Sequence, residues 1–125
     1  SLKSNSENPL KDINIELAEM RMDIEPGSAT EIIINVRGVP VVYNVAAKEL
    51  IVDNVKAPAP LINNKLSLII FADRIGLEIF ANNGLMFMPI NINIPSAERS
   101  LAIEAKGGKA KVSNLSVHEL KSIWD

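Results

Sequence analysis

Asp73 and Glu78 come nearest to a catalytic pair in this chain: two carboxylates five positions apart, with Arg74 between them. A retaining glycosidase needs two carboxyl groups about 5–5.5 Å apart, one to attack the sugar and one to shuttle a proton. Whether these two could meet that geometry depends on the turn that separates them. An even number of loop residues sets both side chains on one face of a sheet and an odd number on opposite faces, and the sequence leaves the parity open. The competing reading is architectural, because carboxylates and an arginine flanking a turn commonly form an ion pair that holds it.

Other reactive constellations are thin. His118 is the only histidine and there is no cysteine, so no set of imidazole and thiolate ligands can form a structural metal site. No metal or cofactor is therefore expected. Gly107-Gly108 and Asn83-Gly84 read as hairpin turns and not as phosphate cradles, since neither opens a helix. Asn114-Leu115-Ser116 fits the glycosylation acceptor pattern, a match short enough to arise by chance. Aromatic residues make up 4% of the chain, which weakens a lectin-like reading based on ring stacking and leaves hydrogen-bonded sugar recognition open.

The elements that must position these residues follow from composition and periodicity. A chain of 125 residues, 47% hydrophobic and 22% charged, is one folded domain. Its net charge of −2 provides no cationic field for nucleic acid. Its longest apolar runs fall far short of the roughly 20 residues that span a bilayer. The dominant period is two. Ile13, Ile15 and Leu17 alternate with polar residues, and after a slip at Ala18-Glu19 the alternation resumes at Met20, Met22 and Ile24, as in a bulged strand or two strands.

Strands are predicted around Glu31–Arg37, Val39–Val45 and Glu49–Val52, and Pro58-Ala59-Pro60 forces an extended connection. A β-meander is expected over Leu66–Asp73, Leu77–Ala81 and the stretch from Met86, where Pro89 points to a sheet edge or a bulge. Leu101–Ala105, Ala110–Val112 and Leu115–Leu120 complete about nine to twelve short strands. The fold class is all-β, a sandwich of two antiparallel sheets of the lectin-like jelly-roll type, over 13–125. Residues 1–12 read as a linker or boundary segment. Met86, Phe87 and Met88 are expected at a contact with another domain or a second copy, because that strand is apolar on both faces.

The run Leu68–Gly84 resembles the C-terminal domain of glycoside hydrolase family 32, the family of invertases, levanases, inulinases and fructosidases. The family's pattern is an apolar strand, Asp-Arg, two small residues, an apolar residue, Glu, an apolar residue, Phe, a small residue, Asn and Gly. Asp73, Arg74, Glu78, Phe80, Asn82 and Gly84 fall in place, while Ile75 departs where a small polar residue is usual. Ala105–Ala110 is similar to the family's glycine-turn hairpin and Leu115–Trp124 to its closing strand, with His118 where an aromatic is common. Tyr43–Val45 and Lys48–Leu50 suit the preceding hairpin more loosely.

This resemblance implies a non-catalytic module packed behind a catalytic β-propeller of the same polypeptide, in a glycosidase that hydrolyses β-fructofuranosyl bonds of fructans or sucrose. A secreted or periplasmic parent enzyme is implied with it, and a homodimer contact is a second use for the methionine-bearing strand. The family's catalytic segments contain Asn-Asp-Pro, Arg-Asp-Pro and Glu-Cys. None occurs here, so no catalytic residue is assigned in this chain. Two other readings stand beside this one: a free-standing carbohydrate-binding or adhesion module, and an enzyme built on Asp73 and Glu78.

Overall fold

The computed structural model describes residues 17–94 and 100–120. Among them are ten strands: β1 (Leu17–Glu25), β2 (Glu31–Val36), β3 (Val39–Asn44), β4 (Glu49–Val52), β5 (Val55–Pro58), β6 (Leu66–Asp73), β7 (Gly76–Ala81), β8 (Met86–Asn91), β9 (Leu101–Lys106) and β10 (Lys111–Leu120). They form two five-stranded sheets, ordered β10-β1-β6-β7-β8 and β5-β4-β3-β2-β9. Every pairing is antiparallel. The fold is a β-sandwich. The segment 1–12 read as a linker, and Ile13, Ile15 and Trp124, lie outside the described residues.

Alternation selects the core. From the first sheet Met20, Met22, Ile24, Leu66, Leu68, Ile70, Leu77, Ile79, Met88 and Ile90 point inward, and from the second Ile32, Ile34, Val36, Val41, Tyr43 and Leu50; all are buried. The residues between them face outward, as expected when each sheet has one covered and one solvated face. β6, β7 and β8 form the expected meander, and Pro89 sits on an edge strand, where its missing N–H costs no ladder bond.

The second sheet is built from tight hairpins. Arg37 and Gly38 join β2 to β3 and Asp53 and Asn54 join β4 to β5, all four with positive φ, the pattern of type I′ turns that match strand twist.

Three expectations need correction. Gly107-Gly108 is not a hairpin turn: β9 pairs with β2 and β10 with β1, so the segment crosses from one sheet to the other. It packs against the other crossing, Pro26–Thr30, through Thr30 N–H to Lys106 O at 2.8 Å and Lys109 N–H to Ser28 Oγ at 3.0 Å. A Cβ on Gly107 would fall 2.3 Å from Thr30 Oγ1, so the close approach of the two corners requires glycine there.

Second, β1 runs against β6 without a break from Ala18 to Ile24, and the irregularity lies in its other partner. In β10, Asn114 and Leu115 together oppose Met22, a bulge in which Asn114 takes φ +53°. Third, the turn after β7 centres on Asn82 and Asn83, with φ +54° and +61°, one residue earlier than the Asn-Gly signal suggested.

Candidate functional site

The turn between β6 and β7 has two residues, Arg74 and Ile75, so the parity is even and Asp73 and Glu78 share the outer face of the first sheet. They are not cross-strand partners. Asp73 pairs with Gly76 and Glu78 with Phe71, which leaves the carboxylates diagonal to one another, where Cβ atoms lie roughly 7–8 Å apart. The Asp73 carboxylate is already engaged: its Oδ1 accepts hydrogen bonds from Ile75 N–H at 2.9 Å and Gly76 N–H at 3.1 Å. This is the Asx arrangement that closes turns. The depression beside it, lined by Ile75, Gly76, Pro89 and Asn91 among others, measures about 100 Å³. Small-molecule sites usually reach at least about 300 Å³. Arg74 and Glu78 are exposed, and neither ion-pairs in this turn.

Asn82, Gly84 and Gly76 of the same run shape its turns and strand contacts. Asn82 is buried, donates from Nδ2 to Pro60 O at 2.7 Å and accepts Ser67 N–H on Oδ1 at 3.3 Å, tying two strand ends to the loop before β6. Gly84 follows at φ +91°. Gly76 cannot be replaced cheaply, because a Cβ there would lie 2.1 Å from Ile90 O on β8. Of the methionine-bearing strand, Met88 is buried, Met86 half-buried and Phe87 is 49% exposed, so Phe87 alone of the three presents itself to a partner.

The sequence did not reveal how the outer face of the first sheet is organised. Register aligns Ser116, Arg21, Ile69, Phe80 and Phe87 in one row across all five strands, and His118, Glu19, Phe71, Glu78 and Pro89 in the next. All three phenylalanines of the chain therefore lie together. Phe71 meets Phe80 edge-on with ring centroids 5.9 Å apart, and Phe80 lies tilted against Phe87 at 4.8 Å.

The other half of the face is polar. Arg21 pairs with Glu19, and Asn114 Nδ2 donates to Asp23 Oδ2 at 2.7 Å. Hydrogen bonds from Asn114 and then Ser67 hold the Asp23 carboxyl below its ordinary value, outweighing the opposing effect of burial. Arg21, Asp23 and Asn114 line an open depression of about 340 Å³ that includes Ser67, Ile69, Asn83 and Ser116. No signal in the sequence links Asp23 to Asn114, because the bulge that brings them together is a product of strand pairing.

A second opening, about 300 Å³ and mostly apolar, lies at the edge of the sandwich where β9 and β10 face one another, lined by Met20, Leu101, Ala102, Ile103, Leu115 and Val117. Leu115 and Val117 are 52% and 41% exposed there. Among the described residues no group of three or more His, Asp or Glu side chains could hold a metal ion, and no helix is long and apolar enough to cross a membrane.

Residues 1–119 match the family model described as "Glycosyl hydrolases family 32 C terminal". A levanase of Bacillus subtilis is 35% identical over 68 residues, which is 54% of this chain and 10% of that protein. A levanase of Bacillus sp. strain L7 is 35% identical over 69 residues, 55% of this chain and 8% of that protein. The matched segments thus span about a tenth of the length of these relatives. An exo-inulinase of Aspergillus awamori superposes with a TM-score of 0.68 at 18% identity, over 78% of this chain and 24% of that one, a likeness of fold.

Proposed function

The chain belongs to the family of C-terminal domains of family 32 glycosyl hydrolases, and from that premise we propose that it is the accessory β-sandwich of a β-fructosidase acting on fructans or sucrose. Its role is to stabilise a catalytic domain on the same polypeptide. The observation that carries this reading is the family match over residues 1–119 in a chain that lacks all three catalytic segments of the resemblance. The engaged state of Asp73 supports it, since a carboxylate that accepts two backbone N–H bonds in its own turn is poorly placed to attack a sugar.

The opening between β9 and β10 is where the catalytic domain would rest. Nine-tenths of the levanase length lies outside the region matched, and contacts between domains of one chain normally cover about 600–1,500 Å². Leu115 and Val117 project from a bulged edge strand over an incompletely closed core, where a covering domain would remove apolar surface from water. The strand carrying Met86, Phe87 and Met88 is β8, at the opposite edge of the first sheet from β10, and stays outside such a contact.

The test is the reading frame upstream of Ser1 and the protein it encodes. An upstream segment carrying Asn-Asp-Pro is expected, and in the joined protein Leu115→Lys should lower the melting temperature of the catalytic domain while leaving its active-site chemistry intact. A start codon near residue 1 with no such segment would refute the proposal.

A further inference from the structure

We propose that the outer face of the first sheet is an oligosaccharide-binding site, with Asp23, Asn114 and Arg21 as the polar contacts and the Phe80–Phe87 pair as the apolar platform. The choice of fructans as its ligand rests on the proposed function; the site itself rests on the geometry.

Three observations converge on one surface. The depression at Asp23 is about 340 Å³, inside the range of roughly 300–1,000 Å³ typical of small-molecule sites, and is lined by groups of both hydrogen-bonding senses. A carboxylate, two amides, two hydroxyls and a guanidinium offer donors and acceptors side by side, as adjacent sugar hydroxyls require. Asp23 is already oriented by the 2.7 Å bond from Asn114, so little ordering remains to be done when a ligand arrives.

The depression also adjoins the apolar half through strand pairing. Ile69 lines it and pairs directly with Phe80, which pairs with Phe87. Neighbouring strands lie about 4.8 Å apart, so from Arg21 on β1 to Phe87 on β8 the row spans about 14 Å, enough for two to three sugar units. Amphipathic ligands of this kind, with C–H faces that cover aromatic rings and hydroxyls at their rims, match a surface polar at one end and aromatic at the other. An inter-domain contact would explain the phenylalanines. It would not explain why a preorganised carboxylate and amide lie open beside them.

The experiment is an NMR titration of the isotope-labelled 125-residue chain with levan-derived and inulin-derived fructo-oligosaccharides, and with a glucan oligosaccharide in parallel. Saturable shifts confined to amides near Arg21, Asp23, Phe80, Phe87 and Asn114 are expected with a fructan. Phe87→Ala and Asp23→Ala should each weaken binding roughly tenfold, on the scale of one well-made contact. Glu104→Ala, on the outer face of the other sheet, should leave binding unchanged.

Shifts on this face with the glucan alone would uphold the site and refute the fructan reading. No shifts with any sugar up to about 10 mM, past the range of weak specific binding, would overturn the site. Shifts on another surface would overturn it as well. So would loss of Phe87 exposure in the joined protein, which would make this face the inter-domain contact instead.

Discussion

Replacing Asn82 by alanine should cost the domain about 3 kcal/mol. Two hydrogen bonds disappear, the 2.7 Å bond to Pro60 O and the longer 3.3 Å bond from Ser67 N–H, each worth about 1 kcal/mol net at a partly covered site. Alanine must also hold the left-handed backbone that Asn82 adopts at φ +54°, at a further cost of about 1 kcal/mol. Glycine at the same place loses the bonds but not the backbone, so Asn82→Gly should be about 1 kcal/mol less damaging than Asn82→Ala. Asn82→Asp keeps the acceptor for Ser67 but sets a carboxylate oxygen against Pro60 O at a buried position, and should cost at least as much as alanine at neutral pH. Urea unfolding followed by circular dichroism reads this directly: with a slope of roughly 2 kcal/mol per molar urea, the alanine variant's midpoint drops by about 1.5 M. An alanine variant within about 0.5 kcal/mol of the parent chain, or a glycine variant less stable than it, would refute the reasoning.

Gly76→Ala should prevent folding or cost more than about 3 kcal/mol, because its Cβ would overlap the Ile90 carbonyl on the neighbouring strand; an unfolding midpoint equal to that of the parent chain would contradict the packing of β7 on β8. Tyr43→Phe removes a buried hydroxyl that donates to Ala59 O at 2.7 Å and should cost about 1–3 kcal/mol in the same assay, with no loss expected if Ala59 finds another donor. Burial raises the Tyr43 phenol above its ordinary value of 10.0, so its contribution to stability is fully present below pH 10 and is lost as the pH climbs beyond it; spectrophotometric titration should show the phenolate forming only with alkaline unfolding. Asn114→Ala should weaken the fold at neutral pH, and because Asp23 is held below 3.8 in the folded chain, the part of the gap that comes from the carboxylate should close as the pH falls below that value, leaving the pH-independent cost of about 1 kcal/mol for alanine in the left-handed backbone at φ +53°; a gap that stays the same from pH 7 to pH 2 would mean that Asn114 acts through something other than the carboxylate.

The sandwich was legible because period-two alternation is written into each strand separately: Leu66–Asp73, Leu77–Ala81 and the alternating residues from Met86 appear with nearly their observed bounds. Pro89 announced its edge for the same local reason. What local chemistry cannot say is which strand a turn leads to. Gly107-Gly108 has the composition of a hairpin turn and instead carries the chain between sheets, a difference decided by the backbone of Ser28 and Thr30 nearly eighty residues away.

The bulge at Asn114 and its bond to Asp23 are hidden for a related reason, since they exist only once β10 is laid against β1. The row of phenylalanines needed the cross-strand register as well as the alternation: Phe80 and Phe87 meet because the four-residue turn from Asn82 to Leu85 brings Ala81 opposite Met86. The parity of the Asp73–Glu78 turn likewise followed only from the observed pairing of Asp73 with Gly76.

The most direct test of the central claim is a fructose-release assay on the purified 125-residue chain with levan, inulin and sucrose, run beside Asp73→Asn and Glu78→Gln. A module without a nucleophile or an acid/base should release no fructose from any of the three, and both variants should be indistinguishable from the parent chain. Fructose released by the parent chain and abolished by either substitution would make these turn carboxylates catalytic and contradict the account.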